Sequence, residues 1–122
     1  MNEPINDNEE IETGSYYAIE RGARVVPILD IQIPIKDRDT CQHIGISYNH
    51  IIDRRLTPGK TDDYEIKIVT VQDIIITIKG NFIDKLYREG LMREKLVWIR
   101  QAKSDAPDEE GEPKPTKIKV EG

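Results

Sequence analysis

The sequence predicts an α+β domain: an antiparallel sheet of four to five strands packed by one C-terminal helix, carried between two disordered acidic tails. Three observations predict it. Isoleucine alternates with polar residues at period two between Leu29 and Ile78, the signature of half-buried strands. A helical apolar pattern follows Asn81. Both ends lack apolar pattern and are rich in acids, so they bury too little surface to offset the entropy of ordering. The expected boundaries are a tail over 1–14, a domain over 15–103 and a second tail over 104–122.

In order along the chain, Tyr16, Tyr17 and Ile19 mark the first contact with the domain. From Val25 to Ile35, residues Leu29, Ile31, Ile33 and Ile35 share one face while Asp30, Gln32 and Pro34 share the other. Pro27 and Pro34 cannot donate to a ladder and point to an edge strand or a bulge. From His43 to Tyr48 the alternation recurs in Ile44, Ile46 and Tyr48. Ile51, Ile52 and Leu56 break the period, and spacing leaves a bent strand and a helical turn both open. Thr57-Pro58-Gly59-Lys60 is a turn signal. Tyr64 to Thr70 and Ile74 to Lys79 read as a hairpin joined by Val71-Gln72-Asp73.

Asn81 is a good N-cap, with Asp84 three residues on, for a helix from Phe82 to about Ala102. The apolar phase slips at Gly90, so the pattern predicts either a kink there or a short turn followed by a second element. Beyond Ser104 only Lys117-Ile118-Lys119-Val120 alternates, and this segment is read as tail with docking onto a sheet edge as the alternative. The expected core is Leu29, Ile31, Ile33, Ile44, Ile46, Ile66, Ile68, Ile74, Ile76, Ile78, Leu86, Tyr87, Leu96 and Trp98.

Charge is unevenly spread: −6 over residues 1–20, +4 over 21–103 and −3 over 104–122, giving the net −5. Acidic ends favour solubility. A single cysteine, Cys41, excludes an intramolecular disulfide and a four-cysteine zinc site. No stretch approaches the roughly 20 apolar residues of a membrane helix, and the acidic start is not a secretory signal. A cytoplasmic location is expected.

Few residues suggest chemistry. Cys41, His43 and His50, with Asp39 or Asp53, offer metal-ligand types but no strong ligand spacing. The simpler account is two surface histidines and a small apolar cysteine. Asp37/Asp39 and Asp62/Asp63 read as solvated loop charge. Gly59-Lys60-Thr61 echoes a phosphate loop but lacks the upstream glycine and the following helix. No cofactor is expected. Arg54, Arg55, Arg93, Lys95, Trp98 and Arg100 form the candidate interaction surface, because arginine and tryptophan dominate binding hot spots.

Tyr48, Ile51-Ile52, Ile76-Thr77-Ile78-Lys79-Gly80-Asn81, Leu86-Tyr87 and Trp98-Ile99-Arg100 together resemble a pattern found in small uncharacterised bacterial proteins. The resemblance spans residues 48–100 and implies no activity. A strand-rich body ending in one helix is also similar to pleckstrin-homology-like topology, by analogy only.

The expectation for function is a binding module for an unknown protein partner, with a homodimer through a sheet edge as one form. Nucleic-acid or polyanion binding through a basic helix face is the alternative, disfavoured by the overall negative charge. A small metal protein or enzyme around Cys41, His43 and His50 is a third reading.

Overall fold

The structure, a computed structural model, describes residues 10–107 and 110–122. Among them are nine strands: β1 (Ile11–Thr13), β2 (Tyr17–Glu20), β3 (Ile28–Pro34), β4 (Cys41–Ser47), β5 (Ile51–Pro58), β6 (Asp63–Thr70), β7 (Ile75–Asn81), β8 (Leu96–Arg100) and β9 (Lys114–Glu121). They form two sheets, ordered β1-β2-β8-β3-β4 and β5-β6-β7-β9. The single sheet of four to five strands is thus corrected to two sheets of five and four. The long C-terminal helix is corrected to a short helical segment between β7 and β8.

The helix is short because the backbone stops it at both ends. Phe82 (φ 58°) and Glu94 (φ 56°) lie in the left-handed region, which no helix continues through. Between them run a π-helical turn, Leu86–Gly90, and a 3₁₀ turn, Leu91–Arg93. Asn81 belongs to β7 and caps nothing. The phase slip at Gly90 marks this end: a Cβ there would meet Leu96 Cβ at 3.0 Å, so glycine lets β8 start against the helical segment. Of the two alternatives the sequence left, the short turn and second element is the one observed.

One apolar core joins the sheets. Tyr17, Ile19, Leu29, Ile31, Ile46, Leu96 and Ile99 come from the first, and Ile66, Ile68, Ile76, Ile78 and Ile118 from the second. Ile83, Leu86 and Leu91 of the intervening segment close it. Buried Tyr48, in the 3₁₀ turn Tyr48–His50 that carries the chain between sheets, donates to the Leu96 carbonyl at 2.6 Å. Burial pushes its phenol pKa up. Ile33, Ile44, Ile74 and Tyr87 from the expected core are only partly buried. Trp98 is half-buried and lies outside the core. Its place is taken by Ile99, one residue on.

Both tail boundaries move. Lys114–Glu121 is β9, antiparallel to β7, with Ile78 opposite Ile118. The docking alternative is therefore what the fold uses, because β7 would otherwise end the sheet with Ile76 and Ile78 uncovered. At the other end β1 pairs with β2, and residues 1–9 lie outside the described ones. Glu12 explains the order of β1. Its carboxylate meets Lys85 Nζ at 2.7 Å and Arg21 Nη2 at 2.5 Å, and accepts from Tyr17 Oη at 2.6 Å. Arg21 also reaches Glu89 at 2.6 Å, so the clasp fastens β1 and β2 to the helical segment.

The Lys85 and Tyr17 hydrogen bonds, with Arg21, hold the Glu12 carboxyl down at about 2. A carboxyl lowered in the folded state stabilises fully above its unfolded value and loses that stabilisation as pH falls through the folded one. Acid titration of wild type is therefore expected to show stability falling between the ordinary carboxylate value of 4.5 and about 2. Glu12→Gln should lower stability at neutral pH and flatten that acid limb. Urea midpoints measured across this range check it. A slope unchanged by the substitution contradicts the assignment.

Candidate functional site

The first sheet has an outer face turned away from the core. Strand parity places Asp30, Gln32 and Pro34 of β3 there, beside Cys41, His43 and Gly45 of β4. The parallel pairing of β3 with β8 sets Trp98 opposite Asp30 and Arg100 opposite Gln32. That pairing was not expected in an antiparallel sheet, and it assembles the site.

The side chains form a chain of polar contacts. His43 Nδ1 lies 2.8 Å from Asp30 Oδ2, and Gln32 Nε2 donates to the same oxygen at 3.0 Å. Gln32 Oε1 accepts from Arg100 Nε at 2.8 Å. The Arg100 guanidinium stands 5.0 Å from the Trp98 ring centroid. The Asp30 carboxylate thereby orients the Gln32 amide, and the amide orients the arginine. Beside Arg100 a cleft of about 860 Å³ is bordered by Tyr16, Pro34, Arg38, Cys41, His43 and Lys103.

The six residues of the expected interaction surface are not brought together. Trp98 and Arg100 are on this face. Arg54 clamps the second sheet to the helical segment, donating to the Leu91 carbonyl at 2.8 Å and meeting Glu94 at 3.3 Å. Lys95 Nζ donates to the Gly22 and Arg24 carbonyls at 3.2 and 2.6 Å. Arg55 pairs with Asp53 at 2.9 Å, and Arg93 is exposed in the helical segment. Among the described residues these cations lie on different elements and do not share one helix face. Cys41 and His43 share the cleft, whereas His50 sits in the turn between sheets and Asp53 on β5. Among the described residues no three His, Cys, Asp or Glu side chains gather as metal ligands, and no helix is long and apolar enough to cross a membrane.

Sequence reasoning missed Asp30 and Gln32 as site residues. Their shared face was readable from the alternation of β3. Their meeting with β8, 68 residues away at Gln32–Arg100, left no local signal.

The second feature is the open edge of β4. The backbone bonds Ile35 N→Thr40 O (3.1 Å) and Tyr48 N→Pro27 O (3.0 Å) bracket the β3–β4 ladder, which runs without a register shift. Hydrogen-bonded pairs alternate in an antiparallel ladder. Gln42, Ile44 and Ile46 therefore bond to β3, and the N–H and C=O groups of Cys41, His43, Gly45 and Ser47 point outward.

The other three edges are guarded. β1 has three residues and carries Glu12. β5 carries Asp53, Arg54 and Arg55 and ends at Pro58, and Tyr87 Oη donates to its Arg54 carbonyl at 3.1 Å. β9 carries Pro115 and three lysines, and the segment after β8 covers part of it through Ala102 N→Pro115 O at 2.8 Å. Charges, prolines, brevity and cover are the usual protections of a strand edge. Among the described residues β4, with sequence Cys-Gln-His-Ile-Gly-Ile-Ser, has none of them.

A scan against protein-family models, a search of curated proteins and a search of solved structures each found no match.

Proposed function

We propose that the chain is a protein-interaction module whose docking element is the open edge of β4, and that its occupant is a second copy of the chain. The observation that carries the proposal is the contrast among the four edges: among the described residues only β4 is long, free of Asp, Glu, Lys, Arg and proline, and uncovered. Such an edge is a template for strand addition.

Self-complementarity favours a second copy. An antiparallel pair of β4 strands centred on Ile44 sets His43 opposite Gly45 of the other copy, and Cys41 opposite Ser47. The largest outward-face side chain meets the one position without a side chain, twice by symmetry. No acid or lysine opposes its like. The product is a ten-stranded sheet with two outer-face clefts on one side.

The test is sedimentation velocity across a wide dilution series. Wild type and His43→Ala are expected to form a dimer that dissociates on dilution. His43→Pro is expected to stay monomeric, because its ring removes an outward N–H that only the second copy uses. A monomeric wild type at the highest concentrations, or a dimer untouched by His43→Pro, contradicts the proposal.

A further inference from the structure

We infer that the cleft beside Arg100 binds a single carboxylate carried on a small apolar body. The inference stands apart from strand pairing, since it rests on the arginine and not on the edge. Arg100 is held on two sides: its Nε is committed to Gln32 Oε1 at 2.8 Å, and its plane lies by the Trp98 ring at 5.0 Å. Among the described residues nothing accepts from its two terminal nitrogens. An arginine fixed in this way presents two parallel N–H donors, the geometry that matches the two oxygens of a carboxylate. Its orientation is set before the ligand arrives, which lowers the entropy cost of binding.

The remaining lining decides what the carboxylate is attached to. Arg38 and Lys103 add two cations, and Asp39 and Asp105 offset two charges, so the cleft carries a net +1 in a chain of net −5. That balance suits one anionic group and not a run of phosphates. Tyr16, Pro34, Ala106 and Pro107 supply apolar wall. About 860 Å³ lies within the range of small-molecule sites. A free organic acid and the C-terminal residue of a peptide present the same chemistry.

The experiment titrates 3-phenylpropionate, 3-phenylpropionamide, inorganic phosphate and a tripeptide ending in phenylalanine, as free acid and as amide, into ¹⁵N-labelled protein. Protein is kept dilute enough to be monomeric, so that strand pairing and acid binding fail separately. The expected result is saturable shifts of the Arg100 Nε–H, Gln32 side-chain and Trp98 indole signals with phenylpropionate. The amide is expected not to bind, and phosphate to bind more weakly. Tripeptide acid binding more tightly than phenylpropionate assigns the ligand to a chain terminus, and the reverse assigns it to a free acid.

Arg100→Gln is expected to weaken binding by about tenfold to a hundredfold, the cost of losing hydrogen bonds to a charged group. Arg55→Gln, on the other sheet, leaves binding unchanged. If Arg100→Gln unfolds, the double variant Arg38→Gln/Lys103→Gln replaces it, with weakening again expected. Equal binding of acid and amide, equal binding of phosphate, or affinity retained in Arg100→Gln overturns the inference.

Discussion

A chain ending at Glu112 is expected to lose its cooperative fold. Removing residues 113–122 removes β9 and uncovers β7 along its whole length. Ile118 is 6% exposed in the core, and burying one isoleucine contributes about 1.5–3 kcal/mol. Val120 packs against the same core, and Gln101 loses the Ile118 amide it accepts at 2.7 Å. Together with the lost β7–β9 ladder these losses reach the lower end of a small domain's whole stability, about 5–15 kcal/mol.

A point substitution probes the same joint. A Cβ at Gly80 would lie 2.2 Å from the Lys114 carbonyl oxygen and 2.8 Å from Pro115 Cα, both backbone atoms that cannot swing aside. Gly80→Ala is expected to cost about 1–3 kcal/mol, as overpacking does. At Gly59 the nearest atoms are at 3.4 Å, ordinary contact, so Gly59→Ala is expected within about 0.5 kcal/mol of wild type. Urea denaturation of both variants and of the truncated chain reads these effects. A truncated chain with a wild-type midpoint would falsify the role given to β9.

Proline substitutions at neighbouring β4 positions are expected to differ sharply. Gln42 donates inward to β3, so Gln42→Pro orphans the Ile33 carbonyl and is expected to cost about 1–3 kcal/mol for that group alone, with ring clash added. His43 donates outward and is well exposed, and its contact with Asp30 is a surface pair worth about 0–1 kcal/mol. His43→Pro is therefore expected to stay within about 1 kcal/mol of wild type, since proline is tolerated where a strand's N–H faces solvent. The measurement is the thermal midpoint of each variant in dilute protein. Equal losses at 42 and 43, or the larger loss at 43, would reverse the inferred ladder alternation and remove the open edge.

Much of the sheet content was legible. Period-two isoleucines located β3, β4, β6 and β7, because a half-buried strand writes its exposure directly into sequence. Four other features were not legible, each for a physical reason. β8 sits where Leu96-Val97-Trp98-Ile99 are contiguous, since Ala18 pairs with Trp98 and Ile19 with Leu96, leaving Val97 as a bulge that breaks the alternation. The helix looked long because a left-handed residue such as Glu94 has no compositional mark.

β9 resembled a tail because four alternating residues are unstable alone and are ordered only by β7. β1 depended on Lys85, over seventy positions away, holding Glu12. The candidate site follows the same division. Trp98 and Arg100 were chosen for residue type. Arg54 and Lys95 were chosen on the same grounds, but their charge is used internally on carbonyl oxygens. Composition does not separate an arginine that binds from one that clamps.

The proposal that β4 offers a usable edge is tested most directly by residue-resolved amide hydrogen exchange at low and high protein concentration. Gln42, Ile44 and Ile46 are expected to be protected at both, since β3 holds them. Cys41, His43, Gly45 and Ser47 are expected to exchange freely in dilute protein and to become protected as concentration rises. Outward amides that exchange at one unchanged rate throughout the series contradict the account.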